Sequence, residues 1–226
     1  MELSQLVAQY RADADDLVAP YLSSTVLVRG WINEAEEEAA VRGRLLFESS
    51  NADICQIVVD AAAVTAGTRV YTLHESVFHI TRAVFIPDGS TTEHELHLTD
   101  RAEQDRAYPG WRSRVDIPRQ AIQDDTKLEL GCKPSVAGVI HIECYRTPLV
   151  LIEDSATETP EIHRSHHRHL IQRGLHRAYS RPGSELDDPS RAAREEALVT
   201  EHFGIRPNAQ NRRNLEANRQ HHNRAW

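Results

Sequence analysis

The sequence lacks the local signatures that identify most enzymes and cofactor-binding proteins. It contains no glycine-rich loop of the kind that holds phosphate, and its serine, histidine and aspartate residues form no nucleophile elbow. Asp13, Asp15 and Asp16 lie close together, but the turn glycine and terminal glutamate of a calcium-binding loop are missing. We interpret these aspartates as acids on a helix surface, and we expect a protein without enzymatic activity, cofactor or bound metal.

Cysteine and long apolar runs are scarce as well. The three cysteines, Cys55, Cys132 and Cys144, are an odd number without CxxC spacing, which predicts buried thiols in a reducing compartment. No apolar run approaches the ~20 residues that span a bilayer. The N-terminus shows no basic region followed by an apolar run. We expect a soluble protein that does not enter the secretory route and has no membrane partner.

The charge of the chain is negative overall and unevenly distributed. The 226 residues carry a formal charge of −8, which excludes a nucleic-acid-binding protein of the uniformly basic kind. Residues 205–226 hold five arginines and one glutamate, a net charge of +4, so the rest of the chain carries −12. Such a segment is either a solvated terminus or an arm that binds an acidic surface on a partner or another subunit, and we favour the arm. A DNA-binding regulator is disfavoured because Trp226 is the only aromatic residue near these arginines and no helix-turn-helix pattern precedes them.

The stretch from Thr25 to Ser50 is the one around which the chain is organised. Its apolar residues recur at helical spacing, at Val28, Ile32, Ala35 and Ala39. This period predicts an amphipathic helix of about six turns. Further helices are predicted from Glu2 to Val18, from Pro160 onward, and after Asp188-Pro189 as far as Phe203, with Asp188 as the cap and Gly204 as the stop.

Between these helical segments the period changes from 3.6 to 2, which indicates β structure. Six short strands are predicted, over Ile54–Val59, Arg69–Leu73, Val77–Ile86, Glu93–Leu98, Lys127–Leu130 and Val139–Tyr145. Glu93–Leu98 is expected to pair with Val77–Ile86, and Tyr108–Trp111 is expected to form an exposed turn around a large aromatic ring.

These elements predict an α+β protein. We expect a helical bundle from the N- and C-terminal helices, an inserted antiparallel β-sheet or small barrel domain, and an extended C-terminal arm. The predicted domains are the first part of the bundle (1–50), the β insertion (51–155), the second part of the bundle (156–204) and a basic docking arm (205–226).

Histidines crowd the helix that follows Pro160. His163 and His167 have the i,i+4 spacing of a zinc-binding pair, but Arg164 stands where a catalytic HExxH helix has glutamate, and Arg168 adds positive charge. We therefore favour a solvated, partly interfacial helix face over a metal-binding protein or hydrolase. Histidines titrate near neutral pH, but nothing in the sequence shows that their titration is coupled to assembly.

The long helix contains two further candidate features. Glu36, Glu37 and Glu38 are expected to be mostly solvated; the alternatives are an acidic docking patch or a surface that faces an axial channel. Trp31 is either an interface anchor or a residue buried in the bundle.

Five stretches, taken in their order, resemble the bacteriophage head–tail adaptor proteins that lie below the portal ring. They are ELSQLVAQYRADADDLVAPYL, WINEAEEEAAVRGRLL, PGW at 109–111, YRTPLVLIEDSATETPEIHRSHHRHLIQRGLHRAY and HFGIRPNAQNRR. The likeness spans nearly the whole chain, and the order of the stretches is more specific than any one of them. The histidine-rich helix departs from the family pattern.

The resemblance implies a structural protein of the virion, located at the head–tail junction and assembled in the host cytoplasm. It implies a ring, usually of twelve copies, in which the helical parts form the wall, the β part reaches toward a tail tube or nozzle protein, and the arm docks on the portal. An acidic body suits a channel through which genomic DNA passes, because negative walls do not bind phosphate. The resemblance supplies no catalytic residue.

Two sets of contact residues follow from this interpretation. Portal binding is assigned to Phe203, Arg206, Arg212, Arg213, Arg219, Arg224 and Trp226. Contacts between subunits are assigned to Trp31, Glu36, Glu37, Arg42, His166 and His169.

Overall fold

The computed structural model describes residues 1–153 and 155–207, so most of the predicted arm lies outside the described residues. The chain divides into two compact units. The helical unit consists of Met1–Gly43 and the described part of Val150–Trp226, and the β unit is Arg44–Leu149. Across the described residues there are seven α-helices and eleven strands, which confirms the predicted α+β class.

The helical unit is built from four helices. They are α1 (Leu3–Asp13), α2 (Thr25–Gly43), α6 (His167–Tyr179), which follows a short 3-10 turn at Arg164–His166, and α7 (Pro189–Phe203). The helix α6 packs against α1, α2 and α7. The core of this unit includes the fully buried side chains of Leu6, Val28, Ile32, Leu170 and Ile171.

The limits of α7 confirm the prediction made from its caps. The Asp188 carboxylate accepts hydrogen bonds from the backbone amides of Ser190 and Arg191, both at 3.0 Å, and Pro189 occupies the first turn. Gly204, at φ 87°, ends the helix.

Three other helix limits differ from the prediction. The first helix ends at Asp13 rather than Val18, because the chain turns at Asp15 (φ 57°) and Asp16 folds inward. The long helix ends at Gly43, since Arg44 adopts φ 49° and the chain then enters a strand. The helix expected from Pro160 begins only at His167, after the 3-10 turn.

The β unit contains three short helices and eleven strands. The helices are α3 (Ala52–Cys55), α4 (Ala61–Ala66) and α5 (Arg101–Ala107). The strands are β1 (Phe47–Glu48), β2 (Gln56–Val59), β3 (Val70–Thr72), β4 (Val77–Pro87), β5 (His94–Glu95), β6 (His97–Leu98), β7 (Val115–Asp116), β8 (Gln120–Gln123), β9 (Lys127–Leu130), β10 (Lys133–Pro134) and β11 (Gly138–Arg146).

These strands form three sheets, and within residues 44–149 none of them closes into a barrel. The largest has the order β1-β11-β4-β5, with β2 also paired to β11, and all its pairs are antiparallel. The second has the order β3-β9-β8-β6, in which β6 and β8 are parallel. The third joins β7 and β10 in parallel.

The two larger sheets supply an apolar core. Ile140 lies opposite Phe85 across the β11–β4 pair, and both side chains are fully buried together with Leu128 and Leu130 of β9. The three cysteines are free and buried, which confirms the predicted buried thiols. Burial raises the pKa of Cys144 to about 12.

Two predictions for this unit need correction. Only His94–Glu95 of the predicted strand Glu93–Leu98 pairs with β4; His97–Leu98 pairs with β8 in the other sheet. Trp111 is 1% exposed rather than exposed in a turn. Its indole nitrogen donates to the Asp105 carboxylate at 2.7 Å, and the guanidinium of Arg69 lies 4.8 Å from the ring centroid.

Candidate interaction site

Most of the predicted contact residues within the described chain converge at the C-terminal end of α7. Arg42 reaches this end from α2: it donates to the Gly204 carbonyl at 3.3 Å and to the Thr200 hydroxyl at 3.4 Å. The last carbonyls of a helix have no partner inside the helix, and a cation there is favourable. Arg42 therefore holds the point at which the chain leaves α7 and continues into residues 205–207.

Buried ion pairs connect three helices behind this end. Arg173 of α6 lies 2.8 Å from Glu38 of α2 and 2.8 Å from Glu196 of α7, and Arg42 also pairs with both glutamates. The Arg42 and Arg173 side chains are 1% and 7% exposed. Burial raises the pKa of Glu196, but the hydrogen bond from Arg42 and the charge of Arg173 lower it more, so the pKa lies below the ordinary value. This network holds α2, α6 and α7 together.

A cleft of about 300 Å³ opens over the network, between α2, α6 and residues 206–207. The exposed Arg206 guanidinium lies 3.7 Å from Glu38 at its floor. On its rim Arg177 forms two hydrogen bonds of 2.7 Å with Glu34, which lowers the pKa of Glu34, and Glu37 is exposed. Alternating acids and bases of this kind suit a charged segment of another chain.

Three histidines and Phe203 form a cluster beside the cleft. The rings of His169 and His202 are stacked with centroids 3.5 Å apart, and His166 Nδ1 lies 2.9 Å from His202 Nε2. Phe203 lies 5.7 Å from the His166 ring and is 6% exposed. Burial, followed by the charges of the neighbouring histidines, lowers the pKa of His166 and of His202. The folded chain therefore favours the uncharged forms of His166 and His202.

The two histidines at zinc spacing have different partners. His163 Nδ1 lies 2.8 Å from the Ser165 hydroxyl, whereas the buried His167 sits between the Met1 amino group at 2.7 Å and the Ile162 carbonyl at 3.0 Å. Across residues 1–153 and 155–207, no group of three or more histidine, cysteine, aspartate or glutamate side chains is arranged to hold a metal ion.

Glu36 and Trp31 lie away from this end. Glu36 is 1% exposed and accepts hydrogen bonds from the backbone amides of Glu161 (2.6 Å) and Ile162 (3.2 Å), and burial raises its pKa. The prediction that all three glutamates are solvated is therefore wrong, since Glu38 is also only 14% exposed. Trp31 is half-buried, with its ring 6.0 Å from that of Tyr10. Contact of either residue with a neighbouring subunit stays a prediction.

Five of the predicted portal-binding residues lie outside the described residues. They are Arg212, Arg213, Arg219, Arg224 and Trp226.

Sequence reasoning missed the loop between α1 and α2. Asp16, predicted on a helix surface, is 3% exposed and accepts hydrogen bonds from the backbone amides of Leu22 (2.9 Å) and Ser23 (3.1 Å). Arg11 lies 3.5 Å from Asp16, and its guanidinium stacks on the Tyr21 ring at 3.4 Å. A signal was present in the sequence, because the twelve residues from Leu17 to Val28 contain no charged side chain.

Comparison with known proteins identifies a family. A protein-family model described as SU10 adaptor protein matches residues 1–223, which is nearly the whole chain. No curated protein sequence matches the chain. In the part of the chain that the structure describes, none of the helices combines the length and the apolar composition needed to cross a bilayer.

Proposed function

The chain belongs to the SU10 adaptor protein family of phage head–tail adaptors, and we propose that it forms a ring that joins the portal of the phage head to the tail. Its place is in the virion, and we propose assembly in the host cytoplasm. The proposal rests on one observation at the C-terminal end of α7. There Arg42 binds the Gly204 carbonyl, so the arginine-rich segment that follows begins at the edge of a charged cleft.

Residues 205–226 are the proposed portal-binding arm. They carry a net charge of +4. Just before them, the Phe203 ring packs against the histidine cluster, whereas Arg206 is exposed. A polar segment of this composition gains little by packing on its own chain, and it suits an acidic surface on a partner. The proposed portal contacts are Phe203, Arg206, Arg212, Arg213, Arg219, Arg224 and Trp226.

The ring is proposed to contain about twelve copies, one for each subunit of a twelve-fold portal. Its subunit contacts would include Trp31, Glu36, Glu37, Arg42, His166 and His169. The remainder of the chain carries −12, which favours a wall that lets DNA pass without binding its phosphates. The β unit is proposed to face the tail tube or nozzle protein.

The test combines the purified chain with the portal protein and measures particle mass and shape by mass photometry and electron microscopy. We expect a ring of about twelve copies on the portal. Deleting residues 208–226, or changing Arg212→Glu with Arg213→Glu, is expected to abolish binding and leave the Tm within about 1 °C of the unmodified chain, because the last packed helix, α7, ends at Phe203.

A matched control is Arg181→Glu with Arg194→Glu, which makes the same charge change at two exposed arginines of the helical unit. This variant is expected to bind the portal normally. Normal binding by the chain that lacks residues 208–226 would contradict the assignment of the arm, and a single bound copy in place of a ring would contradict the ring.

A further inference from the structure

Large apolar side chains are exposed along one short stretch of the helical unit. Leu17 is 65% exposed, Val18 80% and Val26 62%, while Tyr21, Leu22 and Leu27 are 47%, 46% and 39% exposed. These six residues span the loop after α1 and the first turn of α2, and are called the apolar surface below. Single exposed apolar residues need no explanation, but six within eleven positions do.

The loop presents these side chains on a fixed backbone. The buried Asp16 carboxylate accepts from the amides of Leu22 and Ser23, and the Ser23 hydroxyl lies 3.1 Å from the buried Tyr10 hydroxyl. Arg11 donates to the Thr25 hydroxyl at 3.1 Å, at the start of α2. A loop held at both ends loses little conformational entropy when another molecule binds to it.

The apolar surface adjoins an open part of α2. Val26, Gly30 and Asn33 follow each other at helical spacing, so they share one face. A Cβ atom added at Gly30 would have no atom of this chain within 4 Å. Asn33 exchanges two hydrogen bonds with the backbone of Ile152, at 3.0 and 3.1 Å, and so places Val150 (75% exposed) and Leu151 (56% exposed) beside this face.

The size and composition of this region favour a permanent contact. Its first six residues expose roughly 600 Å², against the roughly 800 Å² that each partner contributes to a standard interface. In a chain with 27% charged residues, residues 17–28 contain none. Depletion of charge marks the centres of interfaces, and contacts between identical subunits are more apolar than transient ones.

We infer that the apolar surface, continued by Val150 and Leu151, is where a second copy of this chain binds. The inference rests on the proposed ring and names one of the two different surfaces that each subunit of a ring needs. It differs from the charged end of α7, which is assigned to the portal and to polar contacts.

The test variant is Val18→Asp with Val26→Glu, in the full-length chain. Both side chains point to solvent in the single copy, and an acid in the first turn of α2 is favoured by the helix dipole, so the Tm is expected to stay unchanged. We expect copy–copy association to weaken at least tenfold. On the portal, copies are expected to bind independently rather than fill a ring together.

A second variant, Gly30→Arg, separates assembly from folding. Arginine is the better helix former, and its Cβ atom would have no atom of the chain within 4 Å, so the Tm is expected to be equal or higher while ring formation falls. The matched control is Val58→Glu with Val115→Glu, two valines of the β unit with 67% and 62% exposure, and it is expected to assemble normally.

Mass photometry of each variant, alone and with the portal, distinguishes the outcomes. Complete rings from Val18→Asp/Val26→Glu would overturn the inference and leave the proposed function intact. Normal self-association combined with loss of portal binding would also overturn it, because the surface would then belong to the portal. Unmodified chain that never assembles, alone or on the portal, would overturn the proposed ring and this inference with it.

Discussion

The β unit and the helical unit bury the same kinds of side chain but differ in what they expose. The core of the β unit is apolar, with Phe85, Ile140 and Leu128 fully buried between its two larger sheets. The helical unit has an apolar core as well, but it also buries charged groups of α2 and α6, namely Glu36, Arg42 and Arg173. The β unit buries charge too, at Glu129, which pairs with Arg69 and Arg101, and at Arg146, which pairs with Glu48. Both units therefore combine apolar burial with ion pairs.

The two units differ in how their exposed apolar side chains are distributed. The exposed apolar residues of the β unit are scattered singly, whereas the helical unit concentrates six of them between residues 17 and 27. Because both units bury charge, what distinguishes the helical unit is this concentration of exposed apolar side chains, which do not contribute to its own core. This difference indicates that the helical unit, rather than the β unit, carries the apolar surface through which copies of the chain assemble.

The largest expected effect is a break in the apolar core of the β unit. Phe85→Ala leaves a cavity among fully buried neighbours and is expected to lower the free energy of unfolding by about 4 kcal/mol. Phe47→Ala, at a 50% exposed position, is the control and is expected to lower it by less than about 1.5 kcal/mol. Chemical denaturation followed by circular dichroism measures both, and equal losses would refute a core centred on Phe85.

The next effect tests the ion pairs of the helical unit. Arg173→Met removes the cation shared by Glu38 and Glu196 and is expected to lower the free energy of unfolding by about 3 kcal/mol, because two partly buried carboxylates lose a partner. Arg177→Met, one turn further along α6, breaks an exposed pair with Glu34 and is expected to lower it by less than about 1 kcal/mol. Urea titration measures the free energy of unfolding of both variants. A larger loss for Arg177→Met than for Arg173→Met would show that the buried ion pairs do not hold the helices together.

Local signals were enough to predict α7 and the two longest strands. Asp188, Pro189 and Gly204 act on their own neighbours, so a helix from Pro189 to Phe203 can be predicted without knowledge of the fold. The alternation of residues 139–145 likewise predicted β11, and each of its even-numbered residues from Gly138 to Arg146 is buried.

Contacts between distant residues were not predictable in this way. Arg42 and Glu196 are 154 positions apart, and nothing near either one indicates that they meet. The resemblance grouped Arg42, His166, Phe203 and Arg206 by role only; the convergence of these side chains at one helix end depends on how α2, α6 and α7 pack. For the same reason, Asp16 and Glu36 were predicted on a solvated surface. Both are buried and accept hydrogen bonds from backbone amides, of Leu22 six positions from Asp16 and of Ile162 126 positions from Glu36.

Glu36 provides a sharper test of the charges buried in the helical unit. Glu36→Ala leaves the amides of Glu161 and Ile162 without their acceptor and is expected to lower the free energy of unfolding by about 2 kcal/mol. Glu36→Gln keeps an acceptor oxygen and removes the buried charge, so a change below about 1 kcal/mol is expected. Thermal and urea unfolding measure both variants, and equal losses would show that the charge, rather than the two hydrogen bonds, is what matters.

The smallest expected effect is the response of the histidine cluster to pH. The pKa values of His166 and His202 are lowered in the folded chain, so the unfolded chain binds protons first as the pH falls below about 6.5. The stabilisation from uncharged His166 and His202 is therefore complete above that pH and is lost as the pH falls through the unfolded pKa toward the folded values. We expect the Tm to be lower at pH 5.5 than at pH 7.5, and His166→Gln with His202→Gln to reduce this difference by on the order of 2 °C. Because the pKa of the buried His167 is also lowered, part of the pH dependence should remain in that variant. An unchanged pH dependence, measured by differential scanning calorimetry, would show that His166 and His202 do not contribute to it.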